Sequence, residues 1–175
     1  ILIAVTALFA RTKRAVLAAG ILFYAGQIAA AGLLLWGGLY DTTSAAFFTF
    51  DALGTLFYLL LVVVSMYVFG HSEAYLQGED LRSYRLSFAL LMLLTTAIAG
   101  AYFANNLAVT WIFLEATTLC SAGIIYHRRT AQALEAAWKY VFVCSTGIAM
   151  AYLGILLLAA ATKCESLSYE AVAAA

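Results

Sequence analysis

Two charged side chains, Glu115 and Lys139, stand deep inside otherwise apolar stretches of this sequence, and Glu135 lies one helical turn before the lysine. A charged group near the centre of a bilayer costs about 2.5–3.5 kcal/mol on insertion scales. Such groups usually face a bundle interior or a water-filled cavity, where they act in ion or proton pathways. We therefore predict that Glu115 and Lys139 take part in proton transfer, with Glu135 in a supporting role.

The predicted depths of the two main candidates are similar. Residues 107–126 and 133–161 are expected to form a helical hairpin around the turn HRRTAQ. At 1.5 Å per residue, Glu115 lies about 18 Å from His127, the first residue of the turn, and Lys139 about 9 Å from the start of the next helix. A water molecule or a rotamer change would bridge this difference. A nearby ammonium favours the ionised carboxylate and desolvation disfavours it, so movement of the lysine would change how tightly Glu115 holds a proton.

Hydroxyl side chains are the expected supports of such a pathway. They are Thr110, Thr117, Thr118, Ser121, Ser145 and Thr146. Hydroxyls in membrane helices also serve helix packing, so they do not by themselves identify a proton path.

Structural roles remain open for both charged residues. Glu115 would serve as an anchor if it were hydrogen-bonded to Thr117 or Thr118, one turn away. Glu135 precedes Lys139 by four residues, the favourable spacing for a Glu-to-Lys ion pair on one helix. The lysine also has a stem long enough to reach towards the interface.

The composition places these residues in a membrane protein. Of the 175 residues, 66% are hydrophobic and 10% are charged, whereas soluble domains are about 25% charged. A helix needs about 20 apolar residues to cross a bilayer. The sequence predicts one all-α transmembrane domain with about six helices, the first of them truncated, as a fragment of a longer protein. The predicted helices cover residues 1–10, 15–39, 52–70, 86–104, 107–126 and 133–161.

Basic residues alternate between the predicted connections. Every second connection carries them, as Arg11, Lys13 and Arg14, then Arg82 and Arg85, then Arg128 and Arg129. The connections at 40–51 and 105–106 carry none, and Lys163 follows the last helix. The positive-inside rule places the basic connections in the cytoplasm. The longest connection, predicted at 71–85, is too short for a soluble domain.

Other polar and small residues receive structural interpretations. Asp51 is expected to cap the helix that follows it. Glycines at 100, 123, 147 and 154 are expected to allow close helix approach. His71 and His127 are expected to be solvated in loops. The spacing of Cys120, Cys144 and Cys164 matches neither a metal site nor a redox motif, and we expect no metal, haem or phosphate loop in this chain.

Four motifs together resemble a known family: FFTFDALGTLF, NNLAVTWIFLEATTLCSAGII, HRRTAQALEAAWKY and CSTGIAMAYLGILLL. The chain resembles the antiporter-like membrane subunit shared by respiratory complex I, multi-subunit Na⁺/H⁺ antiporters and membrane-bound nickel–iron hydrogenases. Within that group it looks most like component F of hydrogenase-4 and formate hydrogenlyase complexes. Family members have about 14 helices built from inverted repeats. The resemblance implies that Glu115 and Lys139 match the family's fifth-helix glutamate and sixth-helix lysine.

The same resemblance implies a role and partners. We expect a proton-translocating subunit of a redox-driven complex in a bacterial or archaeal cytoplasmic membrane. Its partners would be antiporter-like and small membrane subunits together with peripheral subunits that hold iron–sulfur clusters and a nickel–iron centre or flavin. No nucleic-acid partner is expected. The alternatives are a secondary Na⁺/H⁺ antiporter subunit and a structural membrane module without transport of its own.

Overall fold

The computed structural model describes residues 2–36, 43–45, 47–76, 78–162 and 167–174. Its helices are α1 (Leu2–Phe9), α2 (Lys13–Trp36), α3 (Ala52–Leu76), α4 (Leu81–Phe103), α5 (Leu107–Ile125), α6 (Ala131–Thr162) and α7 (Tyr169–Ala174). A 3₁₀ turn at Tyr126–Arg128 follows α5, and two short strands, β1 (Thr43–Ala45) and β2 (Phe48–Phe50), precede α3.

The predicted all-α membrane class is confirmed. Within the described residues, five helices are long and apolar enough to cross a membrane: α2, α3, α4, α5 with its 3₁₀ turn, and α6. The first predicted segment, residues 1–10, corresponds to the eight residues of α1. The single-domain organisation and the larger family architecture stay predictions.

The helix bounds predicted on either side of residues 71–85 were wrong. Helix α3 continues to Leu76 and α4 already begins at Leu81. Packing accounts for the extension, because Leu76 and Tyr84 belong to the buried cluster at this end of the bundle. His71 accordingly lies in α3, where its ring stacks on Tyr67 with a centroid separation of 6.4 Å. Residues 37–39, predicted as the end of the second helix, lie outside the described residues.

The connection predicted at 40–51 contains a small hairpin. β1 pairs antiparallel with β2, with Thr43 opposite Phe50 and Ala45 opposite Phe48. The segment Phe48–Phe50 has the aromatic and β-branched residues that favour strands. The Asn105 amide donates to the Phe47 carbonyl at 2.8 Å, which fixes the hairpin to the α4–α5 connection.

Helix α4 is the centre of the bundle. It packs against α1, α2, α3 and α5, whereas α6 packs mainly against α5. Two glycines allow close approach, as predicted. A Cβ on Gly123 would lie 2.7 Å from Leu90 Cδ1, and a Cβ on Gly100 would overlap the Phe113 ring. Gly147 and Gly154 of α6 have no such neighbour within 4 Å among the described residues, so close helix approach at these two glycines stays a prediction.

The three basic connections meet at one end of the bundle. Lys13 Nζ donates to the Glu79 carbonyl at 2.5 Å, and Arg85 donates to the Ala10 carbonyl at 3.0 Å. Arg128 donates to the Tyr75 hydroxyl at 2.6 Å. These contacts agree with the alternation of charge along the sequence, while the side of the membrane on which this end lies stays a prediction.

Candidate functional site

The helix that carries Glu115 has a well-defined start. Asn106 caps α5, and its side-chain oxygen accepts hydrogen bonds from the Ala108 amide at 2.9 Å and the Val109 amide at 3.4 Å. Asparagine is among the preferred capping residues because it satisfies amides that have no partner within the helix. The cap fixes where α5 begins and therefore how deep Glu115 lies.

The Glu115 carboxylate contacts the neighbouring helix. Ser145 Oγ on α6 donates a hydrogen bond to Glu115 Oε1 at 3.2 Å, and both side chains are half-buried. The two residues therefore join α5 to α6 within the membrane-spanning parts of both helices. Ser145 was predicted to support Glu115, and the structure brings the two together.

Trp111 makes a second contact between the same two helices. Its indole Nε1 donates to the Ile148 carbonyl at 2.9 Å, and its ring packs against Tyr152 with centroids 4.6 Å apart. Trp111 lies one turn before Glu115, and Ile148 lies three residues after Ser145, as expected for antiparallel helices. Sequence reasoning missed Trp111. The available signal was an indole N–H inside an apolar span, which needs an acceptor when it is buried.

Lys139 is paired with Glu135 rather than with Glu115. The Lys139 Nζ to Glu135 Oε1 distance is 2.5 Å, and the two side chains are 74% and 65% exposed. The predicted depths were compatible with a contact to Glu115, but rotation about the helix axis separates the groups. Six residues at about 100° each turn Lys139 roughly 120° away from the face of α6 that carries Ser145. The structure therefore selects the same-helix ion pair that the sequence had left open.

The remaining hydroxyls bond to the backbone of their own helices. Thr118 donates to the main-chain carbonyl of Glu115 at 2.7 Å. The same pattern holds for Thr117 with Leu114, Ser121 with Thr117, Thr146 with Phe142 and Thr110 with Asn106. If Glu115 is a structural anchor, its carboxylate is therefore held by Ser145 on the next helix and not by Thr117 or Thr118. The roles of these hydroxyls in proton transfer stay predictions.

A further polar cluster, not found from the sequence, lies between α2, α3 and α4. Tyr24, Ser65 and Thr95 are buried, and the Tyr24 hydroxyl lies beside the hydroxyls of the other two. Gln27, which follows Tyr24 by three residues in α2, contacts the Tyr58 hydroxyl of α3 through its side chain. These neutral groups belong to helices other than α5 and α6, so they are separate from the Glu115–Ser145 contact.

The face of α6 turned away from α5 is uncovered in the described part of the chain. Val143 and Met150 are each more than half exposed. The Lys139–Glu135 pair belongs to this exposed surface. Because charged groups in membrane helices rarely face lipid, the pair is expected to meet a further protein segment or water.

Candidate metal ligands do not cluster. Within the described residues, no three His, Cys, Asp or Glu side chains lie close enough to hold a metal ion. Cys120 and Cys144 are free thiols, and Cys164 lies outside the described residues. The expectation that this chain carries no cofactor stays a prediction.

Comparison with known proteins gives one informative likeness. No family model matches the chain. A hydrogenase-4 component F homolog from Methylacidiphilum infernorum (isolate V4) is 30% identical over 122 residues, which cover 64% of this chain and 25% of the relative. The chain thus spans about a quarter of the length of this curated relative. The likeness supports an antiporter-like membrane subunit, in agreement with the motifs, and with the five apolar helices it supports a membrane location.

Proposed function

We propose that this chain belongs to a proton-translocating membrane subunit of a redox-driven complex, of the membrane-bound hydrogenase or complex I type. The observation that carries the proposal is the Glu115 carboxylate, which lies within a membrane-spanning helix and bonds to Ser145 on the next helix. The likeness to a hydrogenase-4 component F homolog supports the choice of complex. Within this class, we propose the formate hydrogenlyase type as the more specific assignment.

The chemistry of the Glu115–Ser145 pair suits a carboxyl group that changes its protonation state. A serine hydroxyl carries one donor and two acceptor lone pairs. Ser145 therefore donates to the ionised carboxylate and, after rotation of its hydroxyl, accepts from the protonated carboxylic acid. Glu115 thus keeps a partner in both states, which lowers the cost of holding either one within the membrane.

In the proposed proton pathway, the Lys139 side chain has to move before it acts on Glu115. In the structure it forms an exposed ion pair with Glu135. Transfer between Lys139 and Glu115 would need the lysine to leave this pair, or water molecules to connect the two faces of α6. Release of Lys139 towards Glu115 would favour the ionised carboxylate and so expel its proton. The pair with Glu135 is then the resting arrangement in the proposed cycle.

The remaining parts of the proposal concern the whole assembly. Electron transfer would take place in peripheral subunits with iron–sulfur clusters and a nickel–iron centre or flavin. Other antiporter-like and small membrane subunits would complete the path for protons. The basic end of the bundle, with Lys13, Arg85 and Arg128, would face the cytoplasm of a bacterium or archaeon.

Substitution of Glu115 in the native assembly tests the proposal. Glu115→Gln keeps an oxygen that accepts from Ser145 but removes the titratable proton, so assembly should persist while proton transport into reconstituted vesicles falls to background. Asp80→Asn, which removes a carboxylate from the exposed position before α4, is the matched control for loss of charge and should retain transport. Full transport by assembled Glu115→Gln would overturn the proposal.

A second candidate function is a structural one, favoured by the same hydrogen bond. Because Glu115 and Ser145 join α5 to α6, Glu115 would serve only to hold the helices together. Glu115→Gln would then support transport in every complex that assembles. A third outcome, proton movement driven by a sodium gradient without an electron donor, would assign the chain to a secondary antiporter.

A further inference from the structure

A cavity at the basic end of the bundle is separate from the Glu115 site. It has a volume of about 340 Å³ and lies between α3, α4 and the turn after α5. Its polar lining includes Ser72, Ser87, His127 and Arg128. A volume of this size is within the range of sites that hold small organic molecules.

His127 lies at this cavity without a hydrogen-bond partner. It was predicted to be solvated in a loop, but its side chain is only 11% exposed. Both ring nitrogens are buried and neither makes a hydrogen bond within the described residues. Nε2 lies 3.9 Å from Glu79 Oε1, beyond hydrogen-bond distance. A buried imidazole without a partner is costly. A ligand that accepts a hydrogen bond would be stabilised here once the imidazole rotates and exposes a ring nitrogen to the cavity.

Arg128 adds a positive charge beside the histidine. Its guanidinium donates to the Tyr75 hydroxyl at 2.6 Å and lies 5.9 Å from the centre of the Tyr75 ring. This bond uses one of the five N–H donors of the guanidinium. The remaining donors suit the oxygens of a phosphate group.

The rest of the lining is apolar and reaches the outside of the bundle. Val68, Leu91, Ile124 and Ile125 line the cavity, and Val68 and Ile125 are 37% and 38% exposed. The cavity therefore joins a polar, cationic part at the end of the membrane-spanning helices to an apolar part along their sides. A phospholipid has the same two parts, whereas free phosphate lacks the apolar one.

We propose that this cavity binds an anionic glycerophospholipid, with its phosphate at Arg128 and, after rotation of the imidazole, at His127, and with the start of an acyl chain along Leu91 and Val68. Basic pockets between membrane helices are a recognised form of lipid site. The Glu79 carboxylate faces His127 from the α3–α4 connection, so the lipid phosphate would lie on the Arg128 side of the imidazole. The proposal does not depend on proton transport by Glu115.

Lipid binding to the delipidated full protein tests this site. Native mass spectrometry during titration with phosphatidylglycerol should show one bound lipid that Arg128→Gln weakens by about tenfold, the effect of losing one hydrogen bond to a charged group. Arg129→Gln is the matched control, because it removes the same charge from the next residue, which does not line the cavity. Equal weakening by both variants, or by neither, would overturn the proposal.

Two further experiments identify the ligand. Leu91→Trp fills the apolar part and leaves Arg128 and His127 in place, so it should also reduce phosphatidylglycerol binding; unchanged binding would rule out the acyl-chain groove. Inorganic phosphate at millimolar concentration should not displace the lipid. Displacement would make free phosphate the ligand and would also contradict the proposal. Variants are compared after their thermal unfolding without lipid has shown that they are folded.

Discussion

Ser145 Oγ and Glu115 Oε1 lie 3.2 Å apart, and their hydrogen bond joins two antiparallel helices at a carboxylate placed within a membrane span. Trp111 and Ile148 form the next contact along the same pair of helices at 2.9 Å. The two contacts fix the register of α5 against α6. They also determine which face of α6 is turned towards Glu115, and therefore that Lys139 is not on it.

Removal of the Ser145 hydroxyl should loosen α5 from α6. Hydrogen bonds between membrane helices contribute about 0.6–1.7 kcal/mol, and we expect Ser145→Ala to lower the free energy of unfolding by that amount. The matched control is Thr146→Val, because the Thr146 hydroxyl bonds within its own helix. A double-mutant cycle with Glu115→Ala measures the pairwise term. A coupling energy of zero would show that the two side chains do not interact in the protein.

Trp111→Phe should destabilise the same interface while leaving an aromatic ring against Tyr152. The lost indole N–H leaves one interhelical hydrogen bond fewer, again about 0.6–1.7 kcal/mol. Thermal unfolding of the full protein in detergent measures the effect. Trp138→Phe is the control, because that side chain is 66% exposed. Similar shifts for the two variants would argue against the bond to Ile148.

Asp51 should contribute as a helix cap. Its Oδ1 accepts from the Gly54 amide at 2.9 Å, which confirms the role predicted from the sequence. We expect Asp51→Ala to cost about 1 kcal/mol of stability, and Asp51→Asn much less, because asparagine retains the accepting oxygen. Chemical denaturation of the three proteins provides the comparison. Equal stability of the Ala and Asn variants would contradict the capping role.

The glycines of the bundle should differ in their tolerance of a methyl group. Gly100→Ala would push against the Phe113 ring, and such overpacking costs about 1–3 kcal/mol. Gly147→Ala has open space in the described chain and should be neutral or stabilising by up to about 1 kcal/mol, since alanine favours helix. Thermal unfolding measures both. Strong destabilisation by Gly147→Ala would reveal another segment packed on α6.

Lys139 should matter more for transport than for stability. Exposed ion pairs contribute about 0–1 kcal/mol, so Lys139→Gln is expected to leave the unfolding free energy nearly unchanged. Under the proposed function, the same variant should slow proton transport in reconstituted vesicles. Glu135→Gln provides the comparison for loss of the pair alone. Wild-type transport rates in folded Lys139→Gln would exclude this lysine from the pathway.

Much of the fold follows from local properties of the chain. Apolar runs of bilayer length predicted the membrane helices. The position of Asp51 at a helix start predicted that it caps this helix. The end of α3 and the start of α4 were predicted wrongly, because hydropathy locates membrane crossings rather than helix ends. Leu76 and Tyr84 continue the helices by packing beyond the apolar runs.

The sequence by itself determined which charged residues lie at membrane depth, because depth depends only on the number of residues from a helix end. Tertiary structure decided what those residues contact. Whether Lys139 meets Glu115 or Glu135 depends on rotation of α6 about its axis, which is set by the packing of Trp111 and Glu115 against Ile148 and Ser145. The burial of His127 was decided in the same way, since it arises from α3 and α4, helices distant from it in the chain.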